Sequence, residues 1–285
     1  MTITRIGVVG AGAMGTGIAH VAAQAGFSVL LRDVELARVQ KSIGTMDNLM
    51  QRAVSKGRLT EAERQATLAR LTPTESLEGF AEVDWVIEAV FEEMSVKKQV
   101  FQALDRVCRP EVVIATNTSS FSITGLAAQT QRPQQVVGMH FFNPAQVMKL
   151  VEVIRGYYTS DATVAAALGL CERFGKTGIE VKKDAPGFVV NRILMPLMIE
   201  AARVVEEGIA TPEDVDKAIT LGLNHPMGPF TLMDFTGIDV CHNVMEYFHQ
   251  EFAEAQYAPP QIVKQMVRAG RLGRKTGKGF FDYQS

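Results

Sequence analysis

The chain has 285 residues, of which 47% are hydrophobic and 21% charged, and its 29 basic and 31 acidic side chains leave a net charge of −2. Such a length allows two domains and such a composition gives each a core, which excludes a disordered chain. The charge balance argues against nucleic acid as the main partner, because it supplies no broad basic field, and no run of about 18 apolar residues is present to span a membrane.

Taken in chain order, Ile3 to Val9 is a β-branched run ending at Gly10; GAGAMG follows, then GIAHVAAQAGF with helical spacing, then a second apolar run from Ser28 to Val34. Strand, tight turn, helix and strand within about 30 residues make a βαβ unit. From Glu35 to about Leu71 the pattern is helical and highly charged. Gly57 breaks it, Thr60 caps the next helix, and Glu63 three residues on completes a capping box. WVIEAV and VVIATNTSS read as buried strands joined by a helix over KKQVFQALDRV, and QQVVGMHFF and MKLVEVI continue the strand signals. The alternation predicts an α/β fold with a Rossmann-type, doubly wound, mostly parallel sheet over residues 1–185.

The character changes after Lys182-Lys183-Asp184. PGFVVNRILMPLMIEAARVVEEGIA reads as one long helix with Pro186 at its head and Gly208 near its tail, and Thr211 with Pro212 marks the start of another. Residues 186–285 are expected to form a second, all-helical C-terminal domain that closes on the basic, glycine-rich GRLGRKTGKGFFDY. This tail could equally be a solvated loop or a structural part of that domain. Cys108, Cys171 and Cys241 are widely scattered, which fits structural thiols in a reducing compartment and offers no metal spacing. With no secretory leader at its start, the chain is expected to be cytoplasmic.

Gly10, Gly12 and Gly15 fit G-x-G-x-x-G, and their place between a strand and a helix makes the pattern specific. The first glycine permits the turn, the second lets a pyrophosphate approach the backbone, and the third lets helix and strand pack closely. Ala13 and Met14, with the free N–H groups of the helix start, face the phosphates. Asp33, 18 residues beyond Gly15, is placed to accept hydrogen bonds from an adenosine ribose and to repel a 2′-phosphate. NAD is therefore expected, although Arg32 beside it leaves NADP open.

TNTSS, HFFNP, KLVEVI, PGFVVNR, GPF and GRKTGKGF, in that order, resemble the 3-hydroxyacyl-CoA dehydrogenase family, from Ile6 to Tyr283. In length the chain is similar to the single-function bacterial members, the 3-hydroxybutyryl-CoA dehydrogenases. The resemblance implies NAD-dependent interconversion of (S)-3-hydroxyacyl-CoA and 3-oxoacyl-CoA by a homodimer joined through its helical domain. It makes His140 the catalytic base, Glu152 its partner, and Ser119 and Asn191 the polar groups that contact substrate. It also puts Asn117 near the nicotinamide, Glu88 and Lys97 along the cofactor cleft, and Lys56 in a region that contacts the CoA phosphates.

The chemistry asks for these residue types. Oxidising a secondary alcohol removes a proton from oxygen as hydride leaves carbon, and a neutral imidazole with an ordinary pKa of about 6.5 suits the proton step. A carboxylate beside it holds the useful tautomer and stabilises the imidazolium. Asn143-Pro144 interrupts the apolar run with a turn, so His140 and Glu152 are expected to meet across neighbouring strands. Ser119 and Asn191 would donate to the 3-oxygen or thioester oxygen, where charge changes; with Asn191 in the helical domain, the site is expected between domains. Each has a plainer reading: His140 and Glu152 as ordinary strand residues, Ser119 and Asn191 as helix caps. A dehydrogenase of a free hydroxy or sugar acid and a non-catalytic, crystallin-like relative are the rival functions.

Overall fold

A computed structural model describes residues 2–283. Residues up to Phe188 form one compact unit and those from Val189 onward a second.

The first unit is built on one eight-stranded sheet. In chain order it contains β1 (Arg5–Val9), α1 (Ala13–Gln24), β2 (Ser28–Arg32), α2 (Leu36–Ser55), α3 (Glu61–Leu68), β3 (Leu71–Thr74), β4 (Trp85–Glu88), α4 (Met94–Val107), β5 (Val113–Thr116), α5 (Ile123–Ala127), β6 (Val136–Phe141), β7 (Leu150–Ile154), α6 (Asp161–Arg173) and β8 (Thr177–Val181). The strand order is β3-β2-β1-β4-β5-β6-β7-β8. Pairing is parallel from β3 to β6, antiparallel between β6 and β7, and parallel between β7 and β8. The first six strands thus have the doubly wound order, whose direction of winding reverses between β1 and β4 and opens a crevice at the strands' carboxyl ends. β4 and β5 are buried at every position because helices cover both faces of the sheet.

Two buried clusters lie in this unit, one containing Ile18, Val39 and Met139, the other Phe80, Phe101 and Ile114. Thr60 caps α3 as the sequence predicts: its hydroxyl accepts from the Glu63 amide at 3.2 Å, and Glu63 accepts from the Thr60 amide at 2.8 Å. The charged stretch to Leu71 is not helical throughout, since its last residue opens β3. That strand has two exposed positions and contains Pro73, which suits the sheet edge where a missing N–H is tolerated.

The second unit is helical: α7 (Val190–Glu206), α8 (Pro212–Gly222), α9 (Pro229–Thr236), α10 (Ile238–Phe252) and α11 (Gln261–Arg268) surround a core that includes Met198, Phe230, Met245 and Phe248. The long helix starts later than Pro186 suggests. Gly187 and Phe188 both have positive φ, 77° and 53°, so the backbone turns before α7 can begin at Val190. The closing basic segment is structural. Asp234 on α9 is buried and accepts from the Phe280 amide at 2.9 Å, the Phe281 amide at 3.0 Å and the Tyr283 hydroxyl at 3.0 Å, which ties the tail down.

Candidate active site

The glycine turn lies at the carboxyl end of β1. Gly10 has φ 104°, and a Cβ there would overlap the Ala89 carbonyl; one on Gly15 would overlap the Gly10 carbonyl. At Gly12, the N-cap of α1, an added Cβ would meet nothing within 4 Å, so the cradle is open where a pyrophosphate must approach. Ala13 and Met14 are the first two residues of α1. These backbone positions fit a dinucleotide. Gly15→Ala is expected to abolish NADH binding and to lower the unfolding temperature, because its methyl has no space without displacing the turn; fluorescence titration with NADH and a thermal melt check this.

Asp33 follows β2 and is fixed by backbone donors: Oδ2 accepts from the Ala11 amide and Oδ1 from the Val34 amide, each at 2.8 Å. The Arg32 guanidinium is drawn instead to the Glu75 carbonyl, which accepts from Nε at 3.1 Å. The carboxylate is therefore already oriented at the end of β2, while the neighbouring cation is engaged elsewhere.

Beside the glycine turn, the ends of β1, β4, β5 and β6 are stitched together. The Ala89 amide donates to the Val9 carbonyl at 2.7 Å and the Asn117 amide to the Glu88 carbonyl at 2.8 Å. Asn117 Oδ1 accepts from the Phe141 amide at 2.9 Å, so this side chain links the TNTSS turn to the end of the strand that carries His140.

Glu88 and Lys97 lie beneath this surface, 0% and 1% exposed, with Lys97 Nζ 2.8 Å from Glu88 Oε1 and 3.1 Å from Glu92 Oε2. Thr116 Oγ1 donates to Glu88 Oε2 at 2.7 Å. Burial alone would push the Lys97 ammonium down, but the Glu88 and Glu92 carboxylates outweigh it and hold it above the usual lysine value. Breaking a buried pair from one side leaves an uncompensated charge, so Lys97→Met is expected to cost about 3–5 kcal/mol of stability. Urea unfolding measures that, and Glu88→Gln added to Lys97→Met should recover part of it.

Glu92, not singled out by the sequence reading, joins this pair to the TNTSS turn. Its carboxylate accepts from the Thr118 hydroxyl, from the Ser119 amide at 2.9 Å and from the Ser119 hydroxyl at a long 3.4 Å. Burial would raise the Glu92 carboxyl, yet Lys97 and these hydrogen bonds hold it below its usual range. No local pattern marks it among the acidic residues of FEEMS; only the fold brings it to Ser119. Its anchoring also sets aside the simple cap reading of Ser119, since the cap of α5 is Ser122.

His140 and Glu152 are directly opposed in the antiparallel β6–β7 register, which puts both side chains on the same face of the pair. His140 Nδ1 lies 2.7 Å from Glu152 Oε2, with His140 6% and Glu152 0% exposed. Phe142 and Phe188 contact the imidazole at centroid distances of 4.5 and 5.6 Å. Nδ1 being engaged, Nε2 is the nitrogen left for a proton transfer. The expected meeting across strands is therefore realised, as a histidine oriented by a buried carboxylate.

Asn191 and Lys56 lie apart from this cluster in sequence and in element. Asn191 is the second residue of α7, half-buried; Val189 holds the cap position, so Asn191 is not a helix cap. Lys56 is exposed and holds the cap position just after α2. Among the described residues, no group of three or more His, Cys, Asp or Glu side chains is placed to hold a metal.

A doubly wound sheet with an open glycine cradle, an oriented carboxylate after its second strand and a His–Glu pair facing each other across neighbouring strands defines a dinucleotide-dependent dehydrogenase. Comparison with known proteins gives the family. Residues 5–185 match the model of the 3-hydroxyacyl-CoA dehydrogenase NAD binding domain, and residues 187–283 that of the family's C-terminal domain. The chain belongs to the 3-hydroxyacyl-CoA dehydrogenase family, and its cofactor is NAD.

Among its relatives, 3-hydroxybutyryl-CoA dehydrogenase of Bradyrhizobium diazoefficiens is 45% identical, over 99% of this chain and 96% of that one. The crystal structure of (S)-3-hydroxybutyryl-CoA dehydrogenase PaaH1 from Ralstonia eutropha is 46% identical, covers 100% of both chains and superposes with a TM-score of 0.97. A 3-hydroxyadipyl-CoA dehydrogenase of Escherichia coli is 40% identical over 100% of this chain and 60% of its own.

Proposed function

We propose that this enzyme interconverts (S)-3-hydroxybutyryl-CoA and acetoacetyl-CoA, with His140 as the proton acceptor and donor. The observation that carries the reading is the 2.7 Å contact between His140 Nδ1 and the buried Glu152 carboxylate. NAD, when bound, supplies the hydride acceptor. Gly10, Gly12, Ala13, Met14 and Gly15 hold its phosphates, Asp33 its ribose, and Asn117 lies at the nicotinamide end. Glu88 and Lys97 support that wall from beneath.

His140 Nε2 takes the proton of the 3-hydroxyl as oxidation proceeds, and Glu152 retains the Nδ1 proton and stabilises the positive ring. Phe142 and Phe188 keep water from it. Ser119 and Asn191 donate to the 3-oxygen or the thioester oxygen, and Glu92 sets the position of Ser119. Lys56 takes a phosphate of CoA. Four-carbon substrates are favoured by the names of relatives at 45–46% identity, against the 3-hydroxyadipyl-CoA enzyme at 40%.

The test is oxidation of NADH followed at 340 nm with acetoacetyl-CoA, beside free acetoacetate, a longer 3-oxoacyl-CoA and NADPH. Turnover of the four-carbon thioester in preference to the other substrates, with NADH preferred, is expected. Activity on the free acid alone would overturn the reading in favour of a hydroxy-acid dehydrogenase, and NADH binding without turnover in favour of a non-catalytic relative.

Residues 186–285 form a substrate and dimerisation domain in this reading. Exposed Ile193, Ile209 and Leu221 support self-association. Analytical ultracentrifugation at micromolar concentration is expected to give a dimer; a monomer would remove that part. The free, buried Cys108, Cys171 and Cys241 support a cytoplasmic setting. No described helix is long and apolar enough to cross a membrane.

A further inference from the structure

Away from the glycine cradle and the His140–Glu152 pair, the first unit carries a cavity of about 410 Å³ formed by the last turn of α1, the end of α6 and the segment leading into β7. Its wall presents three cations, Lys149, Arg173 and Lys176, and two amides, Gln24 and Gln146, over an apolar floor that includes Phe174; no carboxylate lines it. The lining is thus divided between polar and apolar groups, and polar groups converging on a cleft of this size are what orient a small ligand.

Lys176 differs from the other buried cations of the unit in what holds it. Lys97 lies against two carboxylates, and Arg132 against Asp105 at 2.8 Å. Lys176, by contrast, is only 9% exposed and donates to the neutral Met148 carbonyl at 2.6 Å. Arg173 lies 4.1 Å over the Phe27 ring and donates to the Ile3 carbonyl at 2.9 Å. Lys149 is exposed and has no ion pair among the described residues. Burial pushes the Lys176 ammonium below the usual lysine value, as expected where a charge is desolvated without a counter-charge. Three cations thus converge on one cavity with no acid among its lining residues, and the buried one, Lys176, has no ion pair among the described residues.

We propose that this cavity binds a small organic anion, a carboxylate or a phosphate ester with a short apolar body, whose charged group is met by Lys149, Arg173 and Lys176. The apolar floor takes the body, and Gln24 and Gln146 can donate to further oxygens. The site borders the segment that joins the two halves of the catalytic pair: the Met148 carbonyl receives Lys176 Nζ, and the Lys149 carbonyl receives the Thr177 amide at 2.8 Å, immediately before the strand that bears Glu152.

The test is isothermal titration of the full chain with phenyl phosphate and, separately, hexanoate, in the presence of saturating NAD and acetoacetyl-CoA, an oxidised pair that cannot react. Saturable binding of at least one probe is expected, weakened tenfold or more by Lys149→Glu and by Lys176→Met, and unchanged by His140→Gln, which leaves the cavity intact. The stronger probe assigns the anion as phosphate ester or carboxylate. Lys149 is exposed, so its variant keeps the wild-type melting temperature and the test stands even where Lys176→Met fails to fold. Absence of saturable binding to the wild type, or equal affinity in Lys149→Glu, overturns the site. The readout is binding alone, so it stands apart from the activity proposed above.

Discussion

His140→Gln is expected to lower kcat by at least about a hundredfold, the low end of what a positioned acid–base group contributes, while NADH binding survives. The amide of glutamine preserves most of the side chain's volume and can still hydrogen-bond to Glu152, so the β6–β7 register and the wall formed with Phe142 and Phe188 remain. What is lost is a group that can accept the hydroxyl proton and return it. The glycine cradle and Asp33 are separate from this side chain, so NADH affinity should not change. Steady-state kinetics with acetoacetyl-CoA and a fluorescence titration with NADH measure the two quantities. Turnover within a few-fold of wild type would remove His140 as the base.

Glu152→Gln is expected to reduce kcat on the order of 10²- to 10⁴-fold with a much smaller effect on KM. Its carboxylate, fully buried, is the negative charge 2.7 Å from Nδ1, and a neutral amide cannot stabilise the positive ring that forms when Nε2 takes a proton. An amide can also present its NH₂ to Nδ1 and select the other tautomer, leaving Nε2 protonated and unable to accept. The two residues act as a unit, so the double variant should be little worse than His140→Gln alone. Additive losses would mean that Glu152 acts independently of the imidazole, and a mere rise in KM would reduce it to a substrate-binding or structural role.

How much was legible beforehand differs from residue to residue. The glycine turn could be read because its signal is local: three glycines between a strand and a helix have few geometries open to them, and Gly10 and Gly15 take positions where a side chain would collide with a carbonyl. The Thr60–Glu63 box was legible for the same reason, both partners lying within one turn. The pairing of His140 with Glu152 needed one further step, the chain reversal at Asn143-Pro144, and the period of two in strands then put the two side chains on one face.

The tertiary structure decided what depends on partners far apart in sequence. Glu92 meets Ser119 across 27 residues, and Asp234 meets Phe280 across 46; neither acid carries any mark of its partner in the residues around it. The late start of α7 rests on positive φ at Gly187 and Phe188, and the second of these is a conformation that a phenylalanine in a sequence does not announce. β8 was hidden because TGIEV has no clean alternation and is only partly buried beside β7. Sequence by itself thus determined most of the elements, the glycine cradle and the facing of His140 and Glu152, whose signals are short-range and periodic. Only the folded chain decided which charges are buried together, which hold the serine turn, and which stand without a counter-charge, because those follow from desolvation and distance in three dimensions.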